Sequence, residues 1–417
     1  MAKERDNIPV RRFPQFVKEN GWNYVNANEL FEPIVNKNHN SDLPVLAITQ
    51  DQGAVPREKI GYNVIVSEKS IAGYKVVEVG DFIISLRSFQ GGIEYSYYKG
   101  LCSPAYIVLR RKNDTICNDF YRHYFKSWQF IQNLNRNLEG IRDGKMVSYQ
   151  QFSEILIPYP PFVEQQKIAD CLSSIDELIK ICNGKLEMLK SQKEGLMQQL
   201  LAPINGGGNS CVTPTLRFPK FKNTKGWEIK KLKDIAFRIT VKNKSKKDLP
   251  VFTNSASGGI VNQQDYFDRE IVTKDNLVNY SIVEVDDFVY NPRISTTAPV
   301  GPISRNRIGH GVMSPLYTIF RFSDGDIDFF EHYFKTNCWH QYMKNKANFG
   351  ARFDRMNITN EDFMNMPIPF PPIIEQKQIA ESFSSIDEVI EIYSERVAIS
   401  KQHKIGLMQQ LFPKQVN

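Results

Sequence analysis

The residues of this chain best suited to chemistry are basic, and their settings suit binding more than bond-breaking. Arg87 and Arg293 each close a short strand-like run, "DFIISLR" and "DFVYNPR". The stretches "NRNLEGIRDGK" (135–145) and "KNKANFGAR" (344–352) follow amphipathic aromatic helices and supply Arg142, Lys145 and Arg352, with Arg355 just beyond. Both contain a glycine, which lets a backbone approach another surface closely. "VKNKSKK" (241–247) adds Lys242, Lys244, Lys246 and Lys247. Cations of this kind neutralise phosphates, and Arg, Lys, Asn and Gln read base edges. A lone surface Arg or Lys is otherwise a solvated charge. Recurrence singles these out: Arg87 matches Arg293, Arg142 matches Arg352, and Lys145 matches Arg355 in two related halves. The lysine run occurs in the second half only.

Catalytic chemistry finds little support. "YNPRI" (290–294) superficially matches the Asn-Pro-Pro-aromatic motif of amino-methyltransferases, but the second proline and the aromatic are missing. No glycine-rich nucleotide loop accompanies it, and no GxxxxGK[ST] occurs. The six histidines (His39, His123, His310, His332, His340, His403) show no HExxH spacing. His123 and His332 sit in matching aromatic-rich helices and read as packing groups. The cysteines (Cys102, Cys117, Cys171, Cys182, Cys211, Cys338) form no CxxC pair, so neither a zinc ribbon nor a redox site is suggested. No catalytic, cofactor-binding or metal-binding residue is expected in this chain.

Composition sets the class. The 417 residues are 41% hydrophobic and 24% charged, with net charge +7. That length allows two or three domains with substantial cores. No apolar run approaches the roughly 18 residues of a membrane span. "MAKERDNIPVRRF" has no apolar signal region. A soluble, cytoplasmic protein with no membrane contact is expected. The excess positive charge lies in 1–157 and 215–367, and basic blocks favour a polyanionic partner.

The elements that must position the basic residues come from a duplication. "IPYPPFVEQQKIADCLSSIDELI" (157–179) matches "IPFPPIIEQKQIAESFSSIDEVI" (368–390), and "GLMQQLL" (195–201) matches "GLMQQLF" (406–412) at the same offset. Upstream, "RFPQFVKENGW" (12–22) pairs with "RFPKFKNTKGW" (217–227). Weaker echoes lie between: "SPAYIVLR" with "SPLYTIFR", "DFYRHYFK" with "DFFEHYFK", and "GIRDGKM" with "GARFDRM". Each half is a divergent globular block followed by a nearly identical helical block. The period is far longer than that of solenoid repeats. "APINGGGNSCVTP" (202–214) reads as a flexible linker.

The helical blocks carry an apolar seam spaced alternately four and three. In the first it runs Ile168, Leu172, Ile175, Ile179, Cys182, Leu186, Leu189, Lys193, Leu196, Leu200. In the second it runs Ile379, Phe383, Ile386, Ile390, Tyr393, Val397, Ser400, Lys404, Leu407, Leu411. That period predicts a coiled coil, and a seam lysine can fix register. Pro160–Pro161 and Pro371–Pro372 hold the chain extended before each helix, and Glu164 and Glu375 fall in the first turn, where the helix dipole favours them. Pairing within one chain is the simplest arrangement. Packing of each seam on its own globular block, or homodimerisation, are the alternatives.

On the proline–Glu-Gln–Ile-Ala tracts and the two "GLMQQL" ends, the chain resembles the specificity (S) subunit of type I restriction–modification systems, the HsdS family, over its whole length. The resemblance implies an α+β fold: two similar α/β target-recognition domains in pseudo-two-fold arrangement, separated by two long antiparallel coiled-coil helices. The blocks would be 1–157 (recognition domain), 158–202 (helix), 203–214 (linker), 215–367 (recognition domain) and 368–417 (helix). Each recognition domain would read one half of a bipartite double-stranded DNA site. The helices would set the spacer and dock two modification subunits. Those subunits would methylate adenine N6 with S-adenosylmethionine, and restriction subunits would add ATP- and Mg-dependent translocation and cleavage. The S subunit itself would hold no cofactor and no catalytic residue. A helix of about 55 Å would span roughly 16 base pairs at about 3.4 Å each. A stand-alone DNA-binding regulator or scaffold is the alternative reading.

Overall fold

The computed structural model describes residues 7–60, 71–136, 147–201, 211–244, 249–266, 274–347 and 354–413. The chain forms two compact units, Met1–Gly184 with Ser394–Asn417, and Lys185–Tyr393. Among the described residues no helix is long and apolar enough to cross a membrane.

In the first unit, Asn23–Asn26 pairs antiparallel with Leu156–Tyr159, clipping the start of the globular block to its end. A four-stranded antiparallel sheet follows in the order Phe31–Ile34, Ile107–Arg111, Phe82–Ile84, Glu94–Tyr95. Phe82, Ile83 and Ile84 are all fully buried because the sheet is covered on both faces. Phe82 and Ile84 face the aromatic helices Asn118–Tyr124 and Trp128–Arg136, and Ile83 faces a smaller cluster with Leu46, Val77 and Val108. The rings of Phe31 and Phe82 meet edge to face at 5.5 Å, and those of Phe31 and Tyr121 at 5.1 Å.

The second unit repeats the plan. Trp227–Lys231 pairs with Pro367–Phe370. The main sheet runs Ala236–Ile239, Thr318–Phe322, Phe288–Tyr290, Ile303–Arg305. Phe288 and Tyr290 face its large core, and Val289 faces the cluster of Phe252, Val283 and Met313. The outer layer here is one four-stranded sheet, Gly259–Asn262, Val251–Ser255, Gly311–Met313, Ser281–Val283.

The weak sequence echoes are the two ends of buried contacts. Asp81 and Asp287, from the paired "DF" runs, are buried and receive Arg110 (2.7 and 2.8 Å) and Arg321 (2.6 Å), the arginines that close "SPAYIVLR" and "SPLYTIFR". Each Asp also accepts the backbone N–H of a residue three earlier, Glu78 or Glu284, at 2.8 Å.

The long helices are Phe162–Leu200 and Ile373–Leu411, 39 residues each. Their first turns are seated by more than the dipole. Glu164 has no exposed surface and accepts both Nε and Nη2 of Arg12 at 2.7 Å. Glu375 accepts the same atoms of Arg217 at 2.6 and 2.7 Å. Gln165 accepts from Cys117 N at 2.9 Å and donates to Pro160 O at 2.8 Å. Gln376 accepts from Asp326 N and donates to Pro371 O, both at 2.7 Å. The "RFP" arginines and the "EQ" pairs are thus halves of one joint.

Within each unit, the helix of one half meets the end of the other half's helix. Lys404 reaches Asp176 in the first unit, and Lys193 reaches Asp387 in the second, both at 2.5 Å. Both pairs set an early residue of one helix against a late residue of the other, so the two helices run antiparallel. The seam lysines therefore contact aspartates of the "SSIDE" runs.

The seam does not act as one uniform strip. Ile168, Leu172 and Leu407 are buried in the first unit's globular core, with Ile175 packed against it. Ile379 and Phe383 are buried in the second unit's core, with Leu196 packed against it. Leu186 and Val397 are buried along the helices, and Ile179, Ile386 and Ile390 are half-buried. The helix ends are plugs. Met408, Leu411 and Phe412 enter the first core, where Phe412 meets Phe120 and Tyr124 at 5.5 Å each. Met197, Leu200 and Leu201 enter the second.

Three of the expected edges fall at strands. The "IPYP" and "IPFP" runs are strands of the globular sheets, so edges at 157/158 and 367/368 cut through Leu156–Tyr159 and Pro367–Phe370. The expected linker 203–214 is shorter at its end, because Cys211–Val212 pairs with Trp227–Glu228. Residues 202–210 lie outside the described part.

Two outcomes follow from the packing. Phe412→Ala removes a fully buried ring and is expected to cost roughly 3 kcal/mol, read by denaturant unfolding of the full chain; a change under about 0.5 kcal/mol would mean the end is not seated. Lys193→Asp is expected to destabilise, and adding Asp387→Lys to restore about 1 kcal/mol; a cycle with no coupling would remove the register role.

Candidate nucleic-acid interface

The expected basic residues emerge at turns held from beneath. Arg87 follows the strand Phe82–Ile84 and begins a short helical turn, Ser88–Gly91. Buried Ser85 and Ser88 fix that turn: Ser85 N donates to Ser88 Oγ at 2.8 Å, and Arg87 N to Ser85 Oγ at 3.3 Å. Gly92 closes it at φ +82°, with Phe125 O where a Cβ would stand. The Arg87 side chain is left exposed.

Arg293 is placed by an asparagine. Buried Asn291 accepts from Arg293 N at 3.0 Å and donates to Asn254 O at 2.8 Å. Asn254 in turn donates to Val289 O at 2.7 Å. Arg293 and Arg355 are then brought together as an antiparallel bridge, flanked by Ile294 N to Asp354 O (3.1 Å) and Met356 N to Pro292 O (2.8 Å). The sequence marks both arginines and does not join them. Arg355 Nε is buried without a hydrogen-bond partner and lies 3.7 Å from the Asp354 carboxylate. The bridge joins their backbones and leaves the Arg293 side chain exposed, and such a cation suits a phosphate oxygen or the acceptor edge of a guanine.

The lysine run divides. Lys242 donates to Ser281 Oγ at 2.9 Å and is tied to the fold, whereas Lys244 is exposed. Lys246, Lys247, Arg142, Lys145 and Arg352 lie outside the described residues.

His123 and His332 occupy equivalent places where domain meets helix. His123 Nε2 lies 3.4 Å from Ser173 Oγ, and His332 Nε2 lies 3.5 Å from Ser384 Oγ. Burial, reinforced by Arg122 and Lys404, pushes His123 down to about 2. Burial, with Lys335 and Lys193, pushes His332 down to about 4. The 3.8 Å approach of His123 to Asp176 is therefore a contact of a neutral ring, since Lys404 already takes that carboxylate. Both histidines are neutral packing groups at neutral pH. Among the described residues no cluster of three His, Cys, Asp or Glu could hold a metal.

The joints Arg12–Glu164 and Arg217–Glu375 were missed as contacts, although both members recur in the sequence. Their signal was the matched pair of repeats, and what it lacked was the fold that brings the ends together.

Comparison with known proteins agrees with this architecture. The family model described as type I restriction modification DNA specificity domain matches twice, at residues 19–191 and 224–398. A putative type I restriction enzyme MjaX specificity subunit of Methanocaldococcus jannaschii is 26% identical over 376 residues, covering 83% of this chain and 80% of that protein. The MjaVIII specificity subunit of the same organism is 25% identical over 349 residues, covering 79% and 77%. The S subunit structure of a type I restriction-modification system from M. genitalium shares the fold, with TM-score 0.55 at 13% identity over 98% of this chain and all of that one. A chain from a structure concerned with assembly of the type I R-M system gives TM-score 0.50 at 15% identity, covering 98% and 100%. With both halves of the chain matched by one model, this protein belongs to the type I restriction–modification DNA specificity family.

Proposed function

We propose that each globular domain reads one half of a bipartite double-stranded DNA site, and that the paired helices fix the unread spacer between the halves. One observation carries the reading: two domains of one plan, each sealed by the same helix end, present different basic turns. The first presents Arg87; the second presents Arg293 beside Arg355. A shared frame with unlike faces suits two unlike half-sites.

The chain breaks no bonds in this reading. Two modification subunits dock on the helices and transfer methyl groups from S-adenosylmethionine to adenine N6. Restriction subunits bring ATP- and Mg-dependent translocation and cleavage. The complex works in the cytoplasm. Exposed apolar residues support the docking of two copies, because they recur at matching helix positions: Leu178 with Val389, Ile181 with Ile392, Met188 with Ile399. Equivalent stripes offer equivalent sites.

The test is N6-methyladenine mapping in the host. Replacing residues 1–159 with another reader is expected to change one half-site only; a change in both would refute independent reading. Removing Cys182–Met188 together with Tyr393–Ile399 takes about 10 Å from each helix, and is expected to shorten the spacer by about three base pairs with both half-sites kept. An unchanged spacer would refute the ruler.

A further inference from the structure

The hairpin Leu46–Thr49/Gly53–Pro56 turns through Gln50, Asp51 and Gln52, all exposed. Its tip lies against the Arg87 turn, where Gln50 Nε2 donates to Arg87 O at 3.4 Å. The approach is close: a Cβ on Gly91 would stand 2.8 Å from Gln50 Cδ.

Beneath the contact sits one cation. Lys126 Nζ donates to Gln50 O at 3.1 Å, Gly91 O at 3.0 Å and Glu94 Oε1 at 2.5 Å. An ammonium has three protons, and all three are used. Lys126 thus ties the hairpin tip, the Arg87 turn and the main sheet at a single point. Glu94 is 2% exposed, its second oxygen buried without a hydrogen-bond partner, and burial pushes its carboxyl up to about 7. A buried pair of this kind contributes little net stability. What it supplies is placement of the groups above it.

Those groups have the chemistry of base edges. A glutamine amide matches the N6 and N7 of adenine, an aspartate accepts from cytosine N4, and an arginine matches O6 and N7 of guanine. The second domain builds the same hairpin with different contents. Gly259 takes φ +63° where Gly53 takes φ +73°, but the tip between the paired Ser255 and Gly259 is Ala256, Ser257 and Gly258. Both tips are closed from the last strand residue: Ser255 Oγ accepts from Ser257 N and Gly258 N, as Thr49 Oγ1 accepts from Gln52 N at 3.1 Å; the difference lies in the side chains the tips display. Lys335, the counterpart of Lys126, is exposed and pairs with Glu331 at 3.2 Å.

We propose that the first domain reads its half-site with Gln50, Asp51 and Gln52 beside Arg87, that Gln52 contacts an adenine, and that Lys126 and Glu94 are positioning residues holding this tip in register. The proposal rests on the domain being a DNA reader. The experiment takes the full chain assembled with its modification subunits and selects from a randomised duplex library. The unaltered complex is expected to enrich a two-part motif. Gln52→Ala is expected to lower preference for an A·T pair at one position of one part by about tenfold, with the other part unchanged. Lys126→Met with Glu94→Gln is expected to blur several positions of that same part, with the thermal midpoint held, and Lys126→Arg to keep the motif. If Gln50→Ala and Gln52→Ala both enrich the original motif at full preference, the tip is not a reader and the proposal falls alone. If the unaltered complex enriches no motif, the proposal and the DNA reading fall together.

Discussion

The architecture depends on burying a carboxylate at the start of each long helix. Glu164 and Glu375 have no exposed surface, and a charge so placed costs several kcal/mol unless fully paired. Arg12 and Arg217 meet the requirement with two parallel hydrogen bonds each, the geometry in which Arg exceeds Lys. The neighbouring glutamines bind the loop that leads into the aromatic helix. The direction in which each helix leaves its domain is therefore set by a polar joint that tolerates little variation, while the apolar contacts farther along tolerate more.

From that fixed departure, the helix must end in something. Met197, Leu200 and Leu201 finish one core, and Met408, Leu411 and Phe412 finish the other. Within each unit the lysine–aspartate pair sets the register between the start of one long helix and the end of the other. The narrow apolar seam would be weak as a free coiled coil, with lysine and serine in it. It suffices here because its outer thirds are buried in globular cores.

Much of this was legible in the residues. The duplication, the two long helices and the seam follow from spacing alone, as does the placing of Arg87 and Arg293 a few residues beyond short strands. The joints did not, although both partners stood in repeated motifs. A repeat says that a residue matters twice and is silent about what it touches, because Arg12 and Glu164 are separated by a whole domain. The Arg293–Arg355 bridge was hidden for the same reason. The strand character of "IPYP" and "IPFP" was masked by proline, which is admitted at such places because each strand has one partner or lies at an edge.

The nearly identical helix ends have a bearing on how such a protein changes over time. A globular block is held by an arginine joint at one side and by a standard apolar fitting at the other, and the fittings in the two slots are nearly the same heptapeptide. In the first slot Phe120 and Tyr124 meet Phe412, and in the second Phe329 and Tyr333 share the core with Leu201, so a block that keeps these residues meets the same shaft. New sequence preferences can therefore arise by recombination of whole cassettes, and a cassette moved from the first slot to the second would still find its mate.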